Sequence, residues 1–106
     1  MKTLGERHAH TATNYNNLGV LYRSKGDVAA ARSHFAAAHD ITSAVLGPDH
    51  PDTVTAANNL GLALQAEGRL PEAERVLRAA REVGWRLAGQ AVGWVLVFSG
   101  MFIHVG

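Results

Sequence analysis

The sequence predicts an all-α fold: two stacked helix hairpins followed by a C-terminal apolar helix. Three observations carry this reading. First, a shift of 42 residues aligns 4–41 with 46–83 without a gap, and Leu4, Gly5, His8, Thr11, Thr13, Asn16, Asn17, Leu18, Gly19, Gly26, Ala31, Ala37 and Ala38 meet their own kind, thirteen identities in 38 positions. Agreement that dense, at a period of this length, signals one supersecondary unit present twice rather than a closed globule. Second, apolar residues inside each unit recur at the spacing of a helix face. Third, glycine, proline and aspartate gather where those periodic stretches end.

The first helix is expected from about His10 to Ser24, with Tyr15, Leu18 and Tyr22 at i, i+3 and i+7 as its buried stripe. Gly26 ends it, and Asp27 is the expected N-cap of a second helix carrying Val28, Ala31, Phe35, Ala38 and Ile41 on one face as far as about Val45. A turn this short makes the pair an antiparallel hairpin. The linker Leu46-Gly47-Pro48-Asp49-His50-Pro51-Asp52 then closes the unit, with an aspartate expected to cap the next helix. In the second unit Leu60 and Leu64 replace Leu18 and Tyr22, over about Asp52 to Glu67, while Ala57 stands where Tyr15 stood. Gly68 turns the chain, Pro71 suits a first helical turn, and Ala73, Leu77 and Ala80 carry the stripe to about Val83. Gly19 and Gly61, with Ala31 and Ala73, are small where the helices of each hairpin must approach closely. The chain therefore divides into 1–84, holding repeats at about 4–45 and 46–84, and a segment 85–106 that is uncharged after Arg86.

Tyr15-Leu18-Gly19-Tyr22-Ala31-Phe35-Ala38, echoed as Leu60-Gly61-Leu64-Ala73-Leu77-Ala80, resembles the signature of the tetratricopeptide repeat over residues 4–83. The 42-residue unit, longer than the common ~34, and the linker feeding into Asn58-Asn59-Leu60 are similar to the kinesin light chain subfamily. Ala9 departs from that pattern, standing where the second unit has Pro51. The resemblance implies a right-handed α-solenoid stack that binds a peptide or protein segment and catalyses nothing. It also implies a concave groove lined by the first helix of each repeat. Thr13, Asn17, Val20 and Ser24, with their counterparts Thr55, Asn59 and Leu62, would then line the groove, and Asn16, Arg23, Asn58 and Gln65 its edge. An asparagine amide both donates and accepts, so it can hold the backbone of an extended peptide whatever that peptide's side chains. The competing reading is structural, with the same asparagines tying the stack together.

Composition narrows the function classes. Ten Lys and Arg against nine Asp and Glu leave no net field to gather nucleic acid. The absence of cysteine removes thiol chemistry, disulfides and thiolate zinc sites, which fits a cytoplasmic protein. Met1 to His8 hold no apolar run and are not expected to act as a secretory signal. No nucleophile elbow or glycine-rich phosphate loop is present, so no enzyme and no cofactor is expected. The six histidines are scattered rather than convergent: His8 and His50 hold equivalent linker positions, and His34 and His39 are five apart on one helix. Capping or exposure is expected of them, not metal binding.

Leu87 to Gly106 contain no charged residue, and twenty residues of helix reach ~30 Å, the thickness of a bilayer core. Residues 87–106 are thus a candidate membrane span, which would make the chain a membrane-anchored adaptor. Arg75, Arg78, Arg81 and Arg86 on one side would keep the repeats cytoplasmic. Two other readings stand beside it: a helix packed over the last hairpin, or a non-native end. Two hairpins alone are a short stack, since three repeats are generally needed. The tail, self-association or further repeats must supply the remainder, and a self-stacking structural unit is the second alternative function.

Overall fold

The computed structural model describes the backbone of residues 4–105 and the side chains of residues 8–89. The described backbone holds four helices, α1 (Leu4–Ser24), α2 (Val28–Val45), α3 (Pro51–Ala66) and α4 (Leu70–Val105). Each packs on the next in chain order, α1 on α2, α2 on α3 and α3 on α4. The two hairpins are therefore α1–α2 and α3–α4, and the α2–α3 contact joins them.

The corners are built as the sequence suggests. Gly26 and Gly68, one period apart, adopt φ of 85° and 83°, a region that glycine enters without steric cost. Asp27 caps α2, its side chain accepting from the Ala30 N–H at 3.1 Å. The linker turn uses Gly47 at φ 92°, and the Thr53 hydroxyl, buried with its residue 2% exposed, donates to the Gly47 carbonyl at 2.7 Å. The cap of α3 is not the expected aspartate. His50 takes that position, its Nδ1 accepting from the Asp52 N–H at 3.0 Å, while Asp52 lies in the first turn beside the positive helix end.

Two helices run longer than expected. α1 begins at Leu4 rather than near His10. The linker turn of the second unit depends on Pro48 and Pro51, and the first unit has Glu6 and Ala9 at those positions, so nothing there stops a helix. α4 does not end near Val83 either. It continues to Val105 as one 36-residue helix, about 54 Å long at 1.5 Å per residue. No proline interrupts it after Pro71. Gly84 is held against Val54, where an added Cβ would come within 3.9 Å of the valine methyl, and Arg86 reaches Asp49 at 3.3 Å. The apolar segment is thus a continuation of the last hairpin helix in backbone terms. All of the candidate span 87–106 except Leu87, Ala88 and Gly89 lies outside the residues whose side chains are described. Among the described residues, no helix is long and apolar enough to cross a membrane.

The core sits where the hairpins meet. Ala31, Phe35 and Ala63 form its buried centre, with Tyr22 and Leu60 packed against it. Phe35 is fully buried because Gly19 has no side chain: a Cβ at Gly19 would lie 2.5 Å from the Phe35 ring. Gly61 plays the same part for Leu77, also at 2.5 Å. The expected stripe of α1 is corrected at one residue. Leu18 is 39% exposed, and the buried face runs through Ala12 and Gly19 instead, with Tyr15 and Tyr22 half-buried. Both tyrosine rings stack on His34, with centroids 6.0 and 5.1 Å away, which gives that histidine a packing role.

The two glycine contacts differ in how they can yield. Phe35 is enclosed on every side, whereas Leu77 is half-buried and can change rotamer. Gly→Ala in a helix gains up to about 1 kcal/mol of propensity, against about 1–3 kcal/mol for overpacking a closed core. Gly19→Ala is expected to lower the melting temperature by several degrees, while Gly61→Ala leaves it nearly unchanged. Thermal unfolding followed by circular dichroism compares the two directly.

Candidate functional site

The residues facing the junction of α1, α2 and α3 enclose a groove of about 530 Å³. α1 supplies Ala9, His10, Ala12, Thr13 and Asn16; α2 supplies Ala38 and Thr42, with Leu46 at its C-cap; and α3 supplies Asp52, Thr55 and Ala56. The floor is made of small buried side chains, Ala12, Ala38 and Ala56, all under 5% exposed. Small residues there keep the helices close and leave the walls to polar groups. Thr42 is buried, and its hydroxyl donates back to the Ala38 carbonyl at 3.0 Å, so it presents little free polarity.

At the edge of this groove the two repeats are tied by one side-chain bond. Asn59 Nδ2 of α3 donates to Asn16 Oδ1 of α1 at 2.8 Å, both residues being half-buried. The pairing is not between equivalent positions. Asn16 corresponds to Asn58, and Asn59 to Asn17, so each repeat offers one asparagine forward and one backward. The bond uses one carbonyl and one N–H. It leaves the Asn16 amide as a donor and the Asn59 carbonyl as an acceptor, neither bonded to a described side chain.

The expected site residues separate into groups. Thr13, Asn16 and Thr55 line the groove, and Asn59, which does not, is joined to Asn16 at its edge. The hydroxyls of Thr13 and Thr55 donate to the carbonyls of Ala9 and Pro51, both at 3.2 Å, which leaves their oxygens as acceptors. Asn17, Val20, Asn58 and Leu62 are exposed but do not line the groove. The Ser24 hydroxyl donates to the Val20 carbonyl at 3.0 Å. Arg23 lies over the Phe35 ring, 5.8 Å from its centroid. Gln65 lines a different recess, between α3 and α4, together with Leu70, Ala73, Glu74, Leu77 and Arg81. This groove also takes residues from α2, which the expected lining by first helices alone did not include. The row Ala38, Thr42, Leu46, four residues apart along one face, was the signal for it.

A second tie between the repeats lies at the far end of α3. Arg32 Nε of α2 donates to Glu67 Oε1 at 2.8 Å, and Arg69 reaches the other carboxylate oxygen at 3.0 Å. The Glu67 side chain is only 15% exposed, so this pair is less screened than a surface ion pair. Among the described residues, no group of three or more His, Cys, Asp or Glu side chains is arranged to hold a metal ion.

Compared with known families, residues 10–83 match the model of the tetratricopeptide repeat. The chain belongs to the tetratricopeptide repeat family. Tetratricopeptide repeats generally mediate protein–protein interactions and are typically non-catalytic. No curated protein and no solved structure matches the chain. In this tetratricopeptide repeat protein the match reaches all four helices, both inter-repeat ties and every groove-lining residue except Ala9.

The asparagine bond is expected to contribute about 1 kcal/mol to stability. Asn16→Ala and Asn59→Ala should each cost about that amount, and the double variant should cost little more than either one. A double-mutant cycle by chemical denaturation measures the coupling, and additive losses would show that the bond does not join the repeats in solution.

Proposed function

We propose that this chain is an adaptor module that binds an extended peptide or protein segment in the groove between α1, α2 and α3. The carrying observation is the asparagine bond at the groove edge, which leaves an amide donor on Asn16, a residue that lines the groove, and a carbonyl acceptor on Asn59 beside it. That is the hydrogen-bonding complement of a peptide backbone, and it works whatever side chains the ligand carries. The threonine oxygens of Thr13 and Thr55 add acceptors on the two walls. His10 and Asp52 supply the groove's titratable and charged groups and so its selectivity.

The dimensions support a short footprint. Neighbouring helix axes lie about 8–10 Å apart, and extended chain advances about 3.3 Å per residue, so roughly three ligand residues cross the groove. A contact that small is weak by itself, and useful affinity comes from contacts outside it or from several sites acting together. The 42-residue period and the Leu-Gly-Pro-Asp-His linker support a place with the kinesin light chain-like repeats, and with them a right-handed stack in a cytoplasmic setting.

Thr13→Arg puts a long side chain into the groove from an exposed position on α1, where it does not disturb the core. Peptides selected against the wild-type chain from a random library are expected to bind this variant at least about tenfold more weakly, a loss of about 1.4 kcal/mol. The helical signal and melting temperature should stay unchanged. Fluorescence anisotropy with a labelled selected peptide reads the affinity, and equal binding by both proteins would move the ligand site elsewhere.

A further inference from the structure

The ties that hold repeat one to repeat two have counterparts at the two ends of the chain, and those counterparts fit each other. Inside the chain, Asn16 of the first unit meets Asn59 of the second, and Arg32 of the first meets Glu67 of the second. Moving each residue by one period places Asn58 and Glu74 on the outward side of the second unit, and Asn17 and Lys25 on the outward side of the first. All four are exposed. The asparagines repeat the internal pair. The charged residues repeat it with the sign reversed, glutamate on the preceding unit and lysine on the following one.

The apolar contact is complementary as well. Within the chain, Ala63 of α3 covers Ala31 and Phe35 of α2. The equivalent of Ala63 is Leu21, 47% exposed, and beside it stands Leu18 at 39%. The equivalents of Ala31 and Phe35 are Ala73 and Leu77, which line the recess of about 330 Å³ with Gln65, Leu70, Glu74 and Arg81. A small residue against a large one inside the chain becomes leucine against leucine at its ends, so the bulk lost from one side is returned on the other. The recess is where α3 would lie if a further unit followed, and α1 is the helix that carries the matching side chains.

We propose that the recess between α3 and α4 receives α1 of a second copy of this chain, head to tail. Leu18 and Leu21 enter the recess, Lys25 pairs with Glu74, and Asn17 pairs with Asn58. The contact is heterologous, with different surfaces on the two partners, so it propagates as an open stack. A second copy is favoured because the sequence of units then alternates as it does inside the chain. A first unit packed on a first unit would set Arg32 against Lys25, and a second on a second would set Glu74 against Glu67, each a pair of like charges. None of the residues named for this contact is among those that line the groove between α1, α2 and α3.

The present surface contacts of these residues are slight. Lys25 sits 5.9 Å from the Tyr22 ring centroid and Glu74 bonds Arg78 one turn away, so either can be exchanged without disturbing the fold. The test is sedimentation equilibrium of the full chain across a wide concentration range, with circular dichroism confirming helicity for each variant. The wild type is expected to associate, and more weakly as salt is raised. Lys25→Glu and Glu74→Lys alone should each weaken association about fivefold or more, because each sets like charges together. The double variant, or an equimolar mixture of the two single variants, should restore it, since both arrangements bring opposite charges back into contact. A chain that stays monomeric throughout overturns the proposal, as does a single variant that associates like the wild type or a double variant that fails to recover.

Discussion

The structure depends on one close approach, the Phe35 ring lying where Gly19 has no side chain. Burying a phenylalanine contributes on the order of 2–3 kcal/mol. In a chain this short that is a large part of the total, since native domains are stable by only about 5–15 kcal/mol. The same ring faces two helices. It packs on α1 at Gly19 and clusters with Ala63 of α3, so it fixes the hairpin and the junction between hairpins together. The groove exists because that junction is narrow: Ala12, Ala38 and Ala56 could not form a shared floor if α1, α2 and α3 stood further apart.

Polar ties set direction where apolar packing cannot. Alanines and leucines would permit a unit to slide or to pair with its own kind, because burial is non-directional. The Asn16–Asn59 bond and the Arg32–Glu67 pair each join one position on the preceding unit to a different position on the following one. They assign a front and a back to each hairpin. Asn16 completes the junction and also lines the groove, so the structural reading and the proposed binding reading of these residues meet in the same amide.

Much of this was legible in the residues, and the exceptions have physical causes. The period, the hairpins, the Asp27 cap and the glycine contacts follow from spacing and side-chain size, which a linear sequence displays directly. The early start of α1 was hidden because the first unit shares Leu4, Gly5 and His8 with the linker of the second, while the turn itself depends on the two prolines it lacks. Leu18 was placed in the core on periodicity alone. Its position on the helix is right for burial only where a preceding unit covers it, as α2 covers Leu60. The division of the asparagines was out of reach for another reason. Adjacent residues on a helix point about 100° apart, and which of Asn16 and Asn17 meets the neighbouring repeat depends on how the hairpins are rotated against one another.

In the proposed head-to-tail stack, the sign reversal from the Arg32–Glu67 pair to Lys25 and Glu74 bears on how such an array could lengthen in evolution. The corners at Gly26 and Gly68 are built alike, so the two hairpins turn in the same way. Duplication of a single unit would nonetheless create a junction of like charges, arginine on lysine or glutamate on glutamate. In that stack only the hairpins taken as a couple could be duplicated without such a junction, as letters of a binary alphabet whose permitted words alternate.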